Sequence, residues 1–548
     1  MSILHRFGAR CIALIERLES VPVGLWGWLF GMSAVVVLRN FLEGLSQRAL
    51  NILDADNAMF FPHAWAFYVV AFLGIILILR FLTGERIVRV STFVLFLAPI
   101  ILLPPLFDLA VTGGAGGVIG YIDPAVTLHS AGNIIGAVVD FSLWGPFGLL
   151  FPMGGVPDDS AIRMNFGIRI EVMLLFAALA WYLYIKTRNA ARVILGVVML
   201  YAGLFTLATF PHVVTEPFGV SVYALFAGSL VVNTAFRGAN TVLFGCLFAL
   251  LVALGLLWFR ANDRRTFAAV WKNIRLSRLV IGNFGMLTAG LIIGISSSSS
   301  PLTPDIFDHL LVLFAYASVL FGWIWAVARN DLADERGDRI SESFRPLPSG
   351  ALTRNDMRET GRLALFVSLV AAFLAGFHFF LLRIVWMCIA YLYSEPPFRL
   401  KRFPLLSNVV LAGAYCITMV AGYVLVARNN IFDFPSGIAC LMLVSLPLLM
   451  EFKNIKDYEG DRADGVITIP VLFGLERGKR VIAGFGVLAF LLLPFVYPAR
   501  FAQLFLVGSA LALWYVYAVT VKPYREWRVF LVLSAGILIA AWLGIIGS

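Results

Sequence analysis

Apolar side chains along this chain come in long unbroken runs, with little of the alternation that marks a half-buried strand. A run of about 20 apolar residues is what a helix needs to cross a hydrocarbon core of roughly 30 Å, where every backbone polar group must be satisfied within the segment. Such runs lie near 22–38, 64–82, 90–112, 168–185, 192–210 and 241–259, and then near 279–296, 309–328, 362–377, 379–393, 405–427, 434–451, 480–497, 501–520 and 528–545. The pattern predicts an all-α polytopic membrane protein: an N-terminal domain over 1–262 with about six transmembrane helices, then a nine-helix bundle over 279–548. Between them ANDRRTFAAVWKNIRLSR is basic and amphipathic, which predicts an interfacial linker helix over 263–278. The opening MSILHRFGARCIALIERLES mixes arginine and glutamate with apolar positions and shows no small-residue cleavage site, so it reads as an interfacial helix kept on the mature protein. Residues 113–165, with GGAGG, several prolines and Asp123, Asp140, Asp158 and Asp159, read as a long external segment that could hold a re-entrant helix. Residues 219–236 are apolar enough to span, which would upset the parity of the first domain; SSSSSPLTP at 296–304 is a short loop.

Composition agrees: 60% of the 548 residues are hydrophobic and 14% charged, against about 25% charged in soluble domains. The net charge of +10 would suggest nucleic acid as a partner in a soluble protein. Here the basic residues gather in alternate loops, among them Arg329 to Arg362, Arg399 to Arg402, Lys453 to Arg480 and Lys522 to Arg528, which orients the spans and puts these loops in the cytoplasm, with the C-terminus opposite. Cys11, Cys246, Cys388, Cys416 and Cys440 stand singly, so no disulfide framework or CxxC site is expected. The histidines are equally isolated, which argues against a histidine metal site.

One polar stretch interrupts the second run of the bundle: RNDLADERGDRISESFRPLPSG at 329–350. If that span continues past the membrane as a helix, Asn330, Asp334 and Asp338 share one face at i, i+4 and i+8, with Asp331 beside them. Carboxylates so spaced repel one another, and charge near a membrane is costly without partners. A second set, EFKNIKDYEGDRADG at 451–465, places Asp457 and Asp461 at i, i+4 with Asp464 beyond. Oxygen-only donors suit a hard ion, and Mg2+ characteristically uses one or two carboxylates together with substrate phosphate oxygens. Two such helix ends facing one another could hold a pair of Mg2+ ions and a diphosphate, with Arg345, Lys401, Arg402, and Lys453 or Lys456 completing the anion site. Solvated ion pairing in the loops is the plainer account of any one of these charges.

NDLADERGD and DYEGD resemble the N-D-x-x-D-x-x-x-D and D-x-x-x-D motifs of the UbiA superfamily of intramembrane prenyltransferases, supported by RPLPSGAL, YSEPPFRLKR and GDRADGVITIPVLFG. The resemblance covers about 270–548 and leaves the N-terminal half unassigned. It implies a nine-helix UbiA-like bundle around a central cavity and Mg2+-dependent transfer of a prenyl group from an allylic prenyl diphosphate to an aromatic or other lipid-pathway acceptor. By motif position it implies Asn330, Asp334, Asp338, Asp457 and Asp461 as the Mg2+ shell with Asp331 adjacent, and Tyr393, Ser394 and Lys401 near the diphosphate. Arg345, Lys453 and Lys456 are added from the basic residues nearby, and Met450, Glu451 and Lys453 depart from the arginine or asparagine that many relatives carry before the second motif. Aromatic residues of the fourth and fifth bundle helices (Phe379, Phe380, Trp386, Tyr391, Tyr393, Tyr415) are candidates to stabilise an allylic cation, and loop 339–361 is a candidate cap. Transfer of phosphoribose to a polyprenyl phosphate stays open, as does, from another class, an ion channel or transporter, since intramembrane acids often mark ion paths. The N-terminal half reads either as an interaction or regulatory domain or as a second membrane module, with His212 and Glu216 in FPHVVTEPF as a capped turn.

Overall fold

The computed structural model describes residues 3–46, 55–112, 166–215, 239–297, 306–403, 406–426, 430–463 and 467–547, together with 217 and 219. The expectations for 113–165 and for most of 219–236 and 296–304, together with Glu216 and Asp464, lie outside them. The described residues are helical and contain no strand, and fourteen of the helices are long and apolar enough to cross a membrane. The protein is an all-α, multi-pass membrane protein. Its chain forms two compact units, one of residues 1–231 and 237–264 and one of 232–236 and 265–548.

The first unit comprises α1 (Ile3–Glu19), α2 (Leu25–Ser46), α3 (Ala55–Thr83), α4 (Ile87–Leu97), α5 (Leu103–Thr112), α6 (Phe166–Thr187), α7 (Ala190–Ala208), α8 (Phe210–Thr215) and α9 (Ala239–Asn262). Six spans are present among its described residues, as the apolar runs predict. The run at 90–112 is broken: a 3-10 turn over Ala98–Leu102 separates α4 from α5 where Pro99, Pro104 and Pro105 remove backbone donors. Met32, Val36, Ile76, Leu79, Val90 and Leu179 are buried at its centre. Several charged groups inside are paired, as a low-dielectric setting favours. Glu19 accepts from the Tyr182 hydroxyl at 2.8 Å and from Lys186 Nζ at 2.6 Å. Arg39 Nη1 lies 2.5 Å from Glu43 and its guanidinium 4.7 Å above the Tyr68 ring.

The second unit begins with α10 (Arg264–Lys272), the amphipathic linker helix, followed by a turn with Arg275 at φ 55° and a π-helical turn over Arg278–Phe284. Nine long helices follow among the described residues: α11 (Gly285–Ser297), α12 (Ile306–Ser341), α13 (Arg354–Ala375), α14 (Phe377–Ser394), α15 (Leu406–Val426), α16 (Ser436–Leu449), and, after the short α17 (Lys453–Lys456), α18 (Tyr458–Ala463) and α19 (Ile469–Phe473), α20 (Leu475–Leu491), α21 (Phe501–Thr520) and α22 (Glu526–Gly547). α12 runs 36 residues without a break and carries the first acidic motif on its extension. α13 starts eight residues before the apolar run at 362, because Thr353 and Asp356 form a reciprocal capping box that nucleates the helix in polar sequence. The turn between α12 and α13 is itself packed: Leu347 and Leu352 are buried with Ala328, Met357 and Ala269.

α11 and α15 meet through glycines. A Cβ on Gly290 would stand 1.8 Å from the Met419 carbonyl oxygen, and one on Gly422 2.2 Å from that of Leu287, so the backbones touch. Gly290→Ala should therefore lower the thermal unfolding midpoint in detergent, by a loss on the order of 1–3 kcal/mol for overpacking. Gly413→Ala, on the same α15 with open space around it, should leave the midpoint unchanged or raise it.

Candidate active site

The tip of α12 fans its carboxylates in three directions. Asp331, which is buried, turns back to the linker: Asn273 Nδ2 donates to it at 2.6 Å and Arg275 forms an ion pair with it, the left-handed turn at Arg275 aiming that side chain. Asp334 points the other way, between Arg399 Nη2 at 2.6 Å and Lys401 Nζ, both from the turn after α14. Asp338 receives Arg345 Nη1 at 2.5 Å. Asn330 donates to Ser394 Oγ at 3.4 Å, which ties the motif to the end of α14.

The second acidic stretch is less regular than a continued helix. α16 ends in a 3-10 turn at Met450–Phe452, and Asp457 is the break between α17 and α18. The Asp461 amide still donates to the Asp457 carbonyl at 2.8 Å, which keeps the i, i+4 relation. Glu451, buried at the bend, accepts from Asn408 at 2.6 Å and Asn454 at 2.7 Å and so holds the kink. The two stretches are joined by ions: Arg345 pairs with both Asp338 and Glu342, and Lys456 Nζ reaches Glu342 at 3.1 Å. Asn330 from the first stretch and Lys453 from the second line one cavity, so the two sets meet over the same space.

Below them a cavity of about 200 Å3 is lined at its polar end by Arg278, Asn330, Tyr393, Ser394, Lys453 and Glu526. Tyr415, Met450, Phe452 and Phe530 are shared with a second, apolar cavity of about 110 Å3 that runs on between α11, α15, α16 and α22, past Met419, Met442 and Leu446. Of the aromatics expected to line such a chamber, Trp386, Tyr393 and Tyr415 do. Phe379, Phe380 and Tyr391 line neither cavity: Phe380 packs edge-on against Phe373, and Tyr391 faces Arg329.

Burial sets the charge state of the rim. It pushes the Asp457 carboxyl above its ordinary value, against the pull of Lys456 and Arg278. Asp338 is raised for the same reason although Arg345 opposes it, and Lys401 is lowered by burial against the attraction of Asp334. Each group is thus less comfortable charged than in water, and a ligand carrying both signs would relieve carboxylates and cations together. All candidate metal donors here are oxygens (Asn330, Asp334, Asp338, Asp457, Asp461), and among the described residues no three His, Cys, Asp or Glu side chains close into a metal cage. That donor set fits an ion that brings phosphate oxygens with it, as Mg2+ does. Arg399, Arg278 and Glu342 were not singled out by sequence spacing. The nearest signal was the basic run FRLKR, in which Arg399 and Lys401 sit two apart and both reach Asp334.

A family model described as the UbiA prenyltransferase family matches residues 283–536. A digeranylgeranylglyceryl phosphate synthase from Thermococcus sibiricus is 31% identical over 203 residues, 37% of this chain and 69% of that protein. One from Pyrococcus horikoshii is 30% identical over 32% of this chain and 62% of its own length. Chlorophyll synthase of Oryza sativa subsp. japonica is 28% identical over 39% and 58%. A solved UbiA homolog from Archaeoglobus fulgidus, bound to GPP and Mg2+, aligns over 51% of this chain and 99% of its own with a TM-score of 0.40 and 19% identity. The chain spans roughly three fifths to two thirds of the length of these curated relatives. A multi-pass helical bundle with paired acidic tips over a chamber is the class these observations define. The chain belongs to the UbiA prenyltransferase family.

Asp331 and Asp334 should separate by experiment. Asp331→Ala strands Arg275 and Asn273 in a buried setting and should cost about 3–5 kcal/mol, read as a lowered unfolding midpoint. Asp334→Ala, at a rim position whose side chain keeps 23% of its exposure, leaves Arg399 and Lys401 nearer water and should lower the midpoint by less than Asp331→Ala does.

Proposed function

We propose that the second unit transfers a prenyl group from an allylic prenyl diphosphate to an acceptor, with Mg2+ bound between the α12 tip and the Asp457–Asp461 stretch. The observation that carries this reading is that the two acidic stretches, tied by the Glu342–Lys456 ion pair, contribute Asn330 and Lys453 to one chamber that is polar at its mouth and apolar beyond. The family supports it, and so do relatives whose names specify a digeranylgeranylglyceryl phosphate and a chlorophyll as products. The acceptor is then a lipid-pathway molecule able to reach the mouth from the membrane. The basic loops support a mouth facing the cytoplasm with the C-terminus on the far side.

In this mechanism Asp334, Asp338, Asp457 and Asp461 would hold Mg2+ against the diphosphate, with Asn330 oriented by Ser394. Bound Mg2+ supplies Lewis-acid stabilisation of the charge that develops on the departing diphosphate. Lys401, already aimed at Asp334, and Lys453 at the cavity wall present fixed cations to the same oxygens without reorganisation. Breaking the C1–O bond leaves an allylic cation; Tyr393, Trp386 and Tyr415 face it with π-electrons worth about 0.5–2 kcal/mol each, and the apolar wall keeps water out. The acceptor then forms the new bond at C1 and gives up a proton.

The alternative of an ion path is disfavoured by position: Asp334, Asp338, Asp457 and Asp461 cluster at helix ends beside basic residues, and none sits mid-span. Incubating the purified protein with Mg2+, a panel of prenyl diphosphates and candidate acceptors, and weighing the products, tests the reading. Asp334→Ala or Asp457→Ala should reduce turnover by at least a hundredfold while the protein stays folded, and chelating Mg2+ should abolish it reversibly. Full turnover in either variant would remove these residues from the site.

A further inference from the structure

On the opposite flank of α12 lies another cavity, of about 340 Å3, lined by Arg329, Leu332, Ala333, Arg354, Arg358, Glu395, Pro396 and Arg399. It shares no lining residue with the chamber described above. Three elements build it. Arg329, Leu332 and Ala333 stand on one flank of α12; Arg354 and Arg358, one turn apart, open α13; Glu395, Pro396 and Arg399 come from the turn after α14. Four guanidinium groups thus surround one concave space whose lining carries a single carboxylate.

The ion pairs within reach do not neutralise it. Arg329 Nε lies 2.8 Å from Glu395, Arg399 Nη2 is held by Asp334, and Arg354 pairs with Glu335. Each of these arginines has further donors than those contacts use, and the Arg399 Nε is buried with no hydrogen-bond partner. Arg358 makes no ion pair among the described residues. Three of the four arginines have one carboxylate each and Arg358 has none among the described residues, so the lining keeps an excess positive charge around an open space, an arrangement that gains from an oxyanion placed there. Planar forked donors from several directions match the tetrahedral oxygens of phosphate, and such charge-assisted bonds are about twice as strong as neutral ones.

We propose that this pocket is a second anion site that binds a phosphate group, carried either by a membrane-lipid headgroup or by a free cytoplasmic phosphate. It requires neither prenyl transfer nor the Asp457 stretch.

The test uses the full chain in phosphatidylcholine nanodiscs without prenyl diphosphate. In one arm inorganic phosphate is titrated; in the other the discs are doped with phosphatidic acid, and thermal unfolding is followed in both. A rise in the midpoint with inorganic phosphate identifies the free source, and a rise with phosphatidic acid the lipid source. Either supports the site if Arg358→Gln weakens the response about tenfold, the loss of one charge-assisted hydrogen bond, and Arg358→Lys restores part of it. Affinity for Mg2+ with geranyl diphosphate should be the same in Arg358→Gln as in the parent. Asp457→Ala should keep the phosphate response, so a failure of the transfer reading leaves this one standing. The proposal is overturned if neither probe moves the midpoint, if Arg358→Gln responds as the parent does, or if Asp457→Ala abolishes the response.

Discussion

Carboxylates grouped at the surface of a low-dielectric bundle cannot stand without countercharge, and that constraint organises the second unit. The acidic side chains at the α12 tip are answered from several elements: Asp331 by the linker and by Arg345, Asp334 by the turn after α14, Asp338 by Arg345 in the segment leading to α13. Neutralising the tip therefore fixes three connections at once. The relay from Asp338 through Arg345 and Glu342 to Lys456 extends the same logic to the second acidic stretch. The binding mouth is assembled by its own electrostatics, and the chamber below needs only the apolar faces that membrane helices already present.

This division explains what could be read from the sequence. The helices of both units announced themselves as apolar runs, and the i, i+4, i+8 spacing of Asn330, Asp334 and Asp338 described a shared side of the helix because α12 continues unbroken past the apolar segment. Asp331 was grouped with them by spacing alone. Its commitment to Asn273 and Arg275 depends on a left-handed turn more than fifty residues away along the chain, which no local pattern encodes. The start of α13 was misplaced because hydropathy cannot see a capping box; Thr353 and Asp356 nucleate the helix in charged sequence. Arg399 escaped notice for a related reason: a basic residue in a basic loop carries no mark of which carboxylate it will meet.

The first unit was legible only as spans. Its interior polar contacts join residues far apart, such as Glu19 with Tyr182 and His63 with Asn240, and involve residue types that are unremarkable where they stand. The family match begins at residue 283 and does not reach this unit. Its buried Arg39–Glu43 pair and the stacking of Arg39 on Tyr68 show a charged interior held by pairing, as membrane energetics demand.

The glycine contact between α11 and α15 bears on the breadth of compounds the chamber can house. With two backbones already touching, that wall has no slack, and Gly282, Met286, Tyr415 and Met419 form a fixed template along one side. The facing side, with Leu441, Met442, Phe490 and Phe530, meets the cavity through side chains alone. On the proposed function, α16, α20 and α22 are therefore the helices in which a substitution can reshape the chamber without moving a backbone.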